Sequence, residues 1–84
     1  MTTSNRVSVT VPDNTVYLDN ITMINLDLSG CGIPEDVYAI NFKDGVGDIE
    51  YKNHYKFNDT VNVLPDWASN CASICELAYA ARQK

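Results

Sequence analysis

Alternating hydrophobic and polar positions mark the first predicted strand. From Arg6 to Val11, one side of an extended chain carries Val7, Val9 and Val11, and the other carries Ser8 and Thr10. This two-residue period is typical of a half-buried strand. Residues 12–15 read Pro-Asp-Asn-Thr, which favours a turn because proline fixes φ and Asp and Asn side chains bond to nearby backbone. The pattern predicts a strand followed by a chain reversal.

Two more strands are predicted after this turn. Residues 16–18 form a short second strand, and Asp19 and Asn20 tolerate the positive φ of a tight hairpin turn. Alternation then resumes over residues 21–28 and aligns Ile24, Leu26 and Leu28 on one face. Two glycines and a proline within residues 29–36 predict a connecting loop.

The clearest hairpin signal lies in the middle of the chain. One strand presents Tyr38, Ile40 and Phe42 on one face, the next presents Gly47, Ile49 and Tyr51, and residues 43–46 lie between them. Residues 52–63 alternate less cleanly. We expect Tyr55, Phe57, Val61 and Val63 to cover the end of the sheet as extended chain.

The C-terminal segment has the period of an amphipathic helix. After Pro65 there is no further Gly or Pro, and apolar residues recur at spacings of three and four at Trp67, Cys71, Ile74, Ala78 and Ala81. Pro65 suits the first helical turn, while Asp66 and Arg82 lie near the ends of the helix dipole that favour their charges. The pattern predicts a helix whose apolar stripe covers the sheet.

Together these elements predict one α+β domain over residues 1–84. Its sheet is a small antiparallel meander of hairpins in residues 5–63, and one C-terminal amphipathic helix occupies residues 64–83. A chain of 84 residues supports one modest core, so stabilisation by a partner or by self-association is expected.

Composition and charge narrow the classes of partner. The chain is 45% hydrophobic and 20% charged, which is typical of a folding chain. Six Lys and Arg against eleven Asp and Glu give a net charge of −5, which disfavours nucleic acid and anionic membrane surfaces as partners. Neither a signal peptide nor a membrane-spanning stretch is present in the sequence, so we expect synthesis in the cytosol.

Two clusters suggest metal chemistry. Asp44, Asp48 and Glu50 would suit calcium, but they lack the ligand rhythm of a calcium loop, and a solvated hairpin end is the favoured interpretation. Cys71 and Cys75 are one helical turn apart. With the single histidine they would offer three zinc ligands, but no second ligand pair exists.

The remaining chemistry also favours a binding protein over an enzyme. Cys31, Cys71 and Cys75 are an odd number of irregularly spaced cysteines, and we interpret them as small buried side chains rather than a disulfide framework. His54 lies in a polar stretch and is interpreted as a surface histidine without a catalytic role. We therefore expect no enzymatic activity and no cofactor.

The helix is the predicted contact surface. Leu77 and Tyr79 are expected at the flanks of the buried stripe, where they widen its apolar surface, and alanines keep the helix slim enough for another backbone to approach. The predicted partner-binding residues are Trp67, Ile74, Leu77, Ala78, Tyr79 and Ala81. The alternative is that the alanines only reflect helix propensity on a solvated face.

Several short motifs resemble a group of small tailed-bacteriophage proteins that are often encoded beside tail or tail-fibre genes. The matching segments are 11–14 (VPDN), 26–29 (LDLS), 47–51 (GDIEY) and the Trp-containing, alanine-rich helix at 67–81. The sequence differs from the group at Asp19 and Asn20 and at Asn41 and Phe42. The resemblance implies a structural accessory protein that is made in the host cytoplasm and binds a tail, fibre or baseplate component in the virion.

Two alternatives stay open. The first is a tail or tail-fibre assembly chaperone, which leaves its client before maturation. The second is a small protein that inhibits a host enzyme, a role in which negative charge mimics nucleic acid, although a charge of −5 is mild for that. The sequence leaves self-association and the identity of the client open.

Overall fold

The fold is one antiparallel sheet with a helix on one face. The computed structural model describes residues 6–19, 21–53 and 55–82. Over these residues the elements are β1 Arg6–Thr10, β2 Thr15–Tyr17, β3 Thr22–Met23, β4 Val37–Lys43, β5 Val46–Tyr51, β6 Asp59–Val61 and α1 Asp66–Arg82. The strand order β3-β2-β1-β4-β5-β6 joins two three-stranded meanders through the β1–β4 pair. The predicted α+β fold is confirmed.

The strand register sorts side chains into an apolar face and a polar face. Directly paired residues form a buried row across five strands, Met23, Val16, Val9, Ile40 and Ile49. The neighbouring row on the opposite face crosses all six strands and contains Thr22, Tyr17, Ser8, Asn41, Asp48 and Thr60. This separation confirms the alternation predicted for the first strand, and it leaves a polar face opposite the core.

The helix covers the apolar face of one meander. Its main strand contacts are with β1, β2 and β3, and its buried residues are Ala68, Cys71 and Cys75. These side chains are small, so the helix lies close to the sheet. Leu26, Leu28 and Cys31, from the segment between β3 and β4, are buried in the same core.

The alignment predicted for residues 21–28 is wrong at Ile24. The strand β3 ends at Met23, and Asn25 has a φ of 56°, which interrupts the two-residue period. Met23 is consequently buried and Ile24 is 56% exposed, while Leu26 and Leu28 reach the core as predicted.

The face predicted for the fourth strand is wrong at Tyr38. The pairing of β4 with β5 shifts between Val37 and Ala39, so Tyr38 is the extra residue of a β-bulge. The bulge places Val37 on the buried face with Ile40 and leaves Tyr38 exposed.

Most of the apolar residues after β5 do not cover the sheet as predicted. Of the four residues expected to cover it, only Val61 is half-buried, in β6, whereas Tyr55 is 95% exposed, Phe57 is 92% exposed and Val63 is also exposed. Pairing between β5 and β6 begins at Ile49 and Asp59. Tyr55 and Phe57 therefore belong to the loop before β6 and have no strand beneath them.

Both predicted hairpins are confirmed by the pairing of β4 with β5 and of β2 with β3. Asp44 and Gly45, with φ of 53° and 85°, connect the directly paired Lys43 and Val46, which is the geometry of a two-residue turn with positive φ at both positions. The turn between β2 and β3 closes with a hydrogen bond of 2.8 Å from the backbone N–H of Leu18 to the carbonyl of Ile21. Asn20, within that turn, lies outside the described residues.

We expect Gly45→Ala to lower the free energy of unfolding by about 1–2 kcal/mol, since an L side chain is disfavoured at positive φ. Gly30→Ala is the matched control, because a Cβ at Gly30 meets nothing within 4 Å and its φ is not positive. Urea denaturation of both variants measures the difference. Equal losses in the two variants would contradict the conformational explanation.

Candidate protein-binding surface

The helix begins where the sequence predicts. The carbonyl of Pro65 accepts hydrogen bonds of 3.0 Å from the backbone N–H groups of Ala68 and Ser69, which starts the helical ladder at Asp66. Asp66 lies in the first turn and Arg82 in the last, so both charges complement the helix dipole.

The buried side of the helix is rotated from the predicted stripe. The buried residues are Ala68, Cys71 and Cys75, and the half-buried ones beside them are Trp67, Ala72, Ile74 and Ala78. Ala81 is exposed, so its predicted place in the buried stripe is wrong. The side that faces the sheet is thus made of small side chains, which can pack closely.

Five of the six predicted partner-binding residues lie on one flank of the helix. At about 100° per residue, Trp67, Ile74, Leu77, Ala78 and Ala81 fall within roughly one third of the helix circumference. We call these five residues the helix flank. They run from the half-buried Trp67, Ile74 and Ala78 to Leu77, which is 72% exposed.

Tyr79 is separate from the helix flank. It follows Leu77 by two residues, which rotates it by about 200° to the other side of the buried residues. Its side chain is 40% exposed. A single partner surface that reaches both Leu77 and Tyr79 would have to wrap around the helix, so the two residues mark different surfaces.

The cysteines are buried thiols. Cys31, Cys71 and Cys75 are all free and buried. Burial, with the adjacent Cys31 thiol as a hydrogen-bond partner, raises the pKa of Cys71 to about 12. The Cys75 thiol lies 3.9 Å from the carbonyl of Val16, and burial followed by the charge of Glu76 raises its pKa. The raised pKa values keep the Cys71 and Cys75 thiols protonated, and protonated thiols are poor nucleophiles and poor metal ligands, so these two cysteines are suited to packing.

The carboxylates considered for calcium do not form a metal-binding group. Asp44, Asp48 and Glu50 are exposed, and Asp48 accepts a hydrogen bond of 3.2 Å from the hydroxyl of Thr60. Among the described residues, no group of three His, Cys, Asp or Glu side chains has the arrangement to hold a metal ion. His54 lies outside the described residues.

A second apolar feature is an aromatic loop, which we define as Lys52, Asn53, Tyr55, Lys56 and Phe57. The side chain of Asn53 accepts a hydrogen bond of 2.9 Å from the backbone of Tyr55, and its carbonyl accepts one of 3.1 Å from the backbone of Lys56. These bonds form a tight Asx turn. The exposed rings of Tyr55 and Phe57 are therefore carried by a hydrogen-bonded turn.

The base of the aromatic loop is fixed to the rest of the molecule by Lys52 and Lys56. The Nζ of Lys56 lies 3.1 Å from a carboxylate oxygen of Asp36 and 3.8 Å from the centre of the Tyr51 ring. The backbone N–H of Lys52 donates to the carbonyl of Asp36 at 2.9 Å. The Tyr51 hydroxyl donates to Asp59, and this bond raises the pKa of Tyr51 to about 12.

An open groove of about 420 Å³ lies at the end of the sheet near the aromatic loop. We call it the end groove. Its apolar lining is Val11, Leu26, Leu28, Ile33 and Pro34, and its polar lining is Asn14, Asp27, Ser29, Glu35 and Lys52. Hydrogen bonds from the side chain and backbone of Ser29 lower the pKa of Asp27, so the groove carries a stable negative charge.

The end groove was not predicted, and although the polar stretch around Asn53 and Tyr55 was expected to be exposed, the rings of Tyr55 and Phe57 were expected to cover the end of the sheet. The groove combines three distant parts of the sequence, so no local pattern reports it. One local feature of the sequence indicates the exposed loop. Tyr55 and Phe57 flank a lysine in a stretch that lacks the regular alternation of a strand.

Comparisons with protein-family models, with characterised proteins and with solved structures find no match for this chain. Within the described residues, no helix is long and apolar enough to cross a membrane.

Proposed function

We propose that the protein is a structural accessory component of a tailed phage and binds a tail, fibre or baseplate protein through the helix flank. The phage context rests on the four matching segments in the sequence. The observation that supports a binding role is the exposure of Leu77 on a helix whose opposite side is already packed on the sheet. The role requires contact and no catalysis.

The helix flank has the composition of a contact surface. Leu77 supplies an exposed apolar anchor, and Ile74 and Trp67 extend it toward the core. Ala78 and Ala81 leave room for a partner's backbone to approach. An interface needs such a desolvated centre more than it needs a large area.

Mass spectrometry of purified phage particles distinguishes the proposed role from that of an assembly chaperone. We expect the chain in a fixed number of copies per particle, close to the copy number of one tail component. Presence in the infected-cell extract and absence from particles would instead support the chaperone. A host enzyme recovered with the chain, in place of any phage protein, would support the inhibitor.

A photo-crosslinking amino acid at position 77 identifies the partner. In assembled particles, we expect it to crosslink to a tail, fibre or baseplate protein. The control carries the same crosslinking group at Ser73, an exposed residue one turn earlier that is not part of the helix flank. Comparing the crosslinking yields at positions 77 and 73 measures how closely the contact is confined to the flank. Failure to crosslink at position 77 in particles that contain the chain would contradict the proposed surface.

A further inference from the structure

The aromatic loop carries apolar surface that the single chain does not bury. Tyr55 and Phe57 are 95% and 92% exposed, although burial of each ring would remove about 150–250 Å² from water. The loop is hydrogen-bonded through Asn53 and tied to Asp36 through Lys56, so little order remains to be gained on binding. A preorganised aromatic pair is suited to insertion into a concave surface.

The end groove has the complementary chemistry. Its floor includes the aliphatic side chains of Val11 and Ile33, and its rim carries the carboxylates of Asp27 and Glu35. The aromatic loop carries Lys52 and Lys56 and no acidic residue among its five members. Because Lys56 is paired with Asp36 and Lys52 itself lines the groove, the complementarity rests mainly on the two exposed rings and the aliphatic floor, and the loop brings no acidic residue among its five members that would repel Asp27 and Glu35.

The loop and the groove are neighbours on the same molecule. Lys52 belongs to both, and Lys56 bonds to Asp36, the residue that follows Glu35 of the groove rim. The rings nevertheless point into solvent and leave the molecule's own groove open. Adjacent complementary features allow a two-fold arrangement, in which each copy gives its loop to the other and receives one in return.

We propose that the protein forms a two-fold homodimer in which Tyr55 and Phe57 of each copy enter the end groove of the other. Two rings from each of two copies would bury about 600–1,000 Å². The groove surface that they cover brings the total into the range of specific interfaces, about 1,200–2,000 Å². This inference is independent of the proposed function, which uses the helix flank.

Sedimentation equilibrium of the full chain tests the dimer. We expect Tyr55→Ser with Phe57→Ser to weaken dimerisation at least about 100-fold, because both anchors of each contact are lost. Ser29→Trp should weaken it as strongly by filling the groove from its exposed rim. Val63→Ser is the matched control, since it truncates an exposed apolar residue outside the loop and the groove. Circular dichroism verifies that each variant is folded.

Mixing the two defective variants tests the reciprocal geometry. The loop variant keeps an intact groove and the Ser29→Trp variant keeps an intact loop, so a mixed pair retains one of the two contacts. We expect the variants to associate more tightly with each other than either does with itself. A wild-type chain that stays monomeric up to about 1 mM would overturn the proposal. Dimerisation that survives the loop variant, or is lost in Leu77→Glu, would also overturn it.

Discussion

Replacing Ile40 with alanine is expected to lower the free energy of unfolding by about 2–5 kcal/mol. Ile40 is only 2% exposed, and in the central strand β4 it pairs directly with Val9 on one side and Ile49 on the other. Its truncation opens a cavity that strand pairing prevents from closing. A domain of this size has a total stability of only about 4–13 kcal/mol, so the loss leaves a marginally stable or unfolded chain.

Two further variants calibrate this result. Ile40→Val removes one methyl group and should cost about 0.5–1.5 kcal/mol. Val46→Ala changes a residue that is 52% exposed at the hairpin end, so it should stay within about 0.5 kcal/mol of the wild type. Urea denaturation followed by circular dichroism measures all three. If Ile40→Ala were no more destabilising than Val46→Ala, the paired apolar row would not be the main source of stability.

The elements that the sequence predicted well are those with uninterrupted periods. In β1 the alternation of valine with polar residues places Val7 and Val9 in the core, and no bulge disturbs it. The turn at Asp44 and Gly45 is equally local, because its residue types alone satisfy positive φ. The helix was predicted at 64–83 and runs over Asp66–Arg82.

The two strand faces that the sequence predicted wrongly depend on single residues that interrupt the two-residue period of a strand. Asn25 adopts a left-handed φ and Tyr38 is a bulge, and each reverses which neighbouring side chains face the core. Neither has a residue type that requires this behaviour. Both backbone conformations are favoured by packing, because they place Met23 and Val37 in the core.

The contact surface was predicted in part. The exposure of Leu77 follows from its position opposite the buried residues, but Tyr79 was grouped with it although a two-residue spacing on a helix separates side chains by about 200°. The end groove required tertiary information, since it joins the β1–β2 turn, the segment before β4 and the end of β5.

The separation of Leu77 from Tyr79 leads to the prediction with the largest expected effect on function. Leu77→Glu should weaken binding to the tail, fibre or baseplate partner by at least about 10-fold, because it replaces the exposed apolar anchor of the helix flank with a charge. The variant should remain folded, with a change in the free energy of unfolding within about 0.5 kcal/mol, since Leu77 is 72% exposed. Calorimetric titration against the partner identified by crosslinking measures the affinity.

Tyr79→Glu is the matched control for Leu77→Glu. It adds the same charge to the same helix on the opposite side of the buried residues, and its side chain is 40% exposed. If the helix flank is the contact surface, Tyr79→Glu should bind the partner with nearly wild-type affinity. Loss of affinity in Tyr79→Glu with retention in Leu77→Glu would move the interface to the other side of the helix. Retention in both folded variants would exclude the outer surface of the helix as the binding site, and the partner would then have to bind the polar sheet face or the aromatic loop.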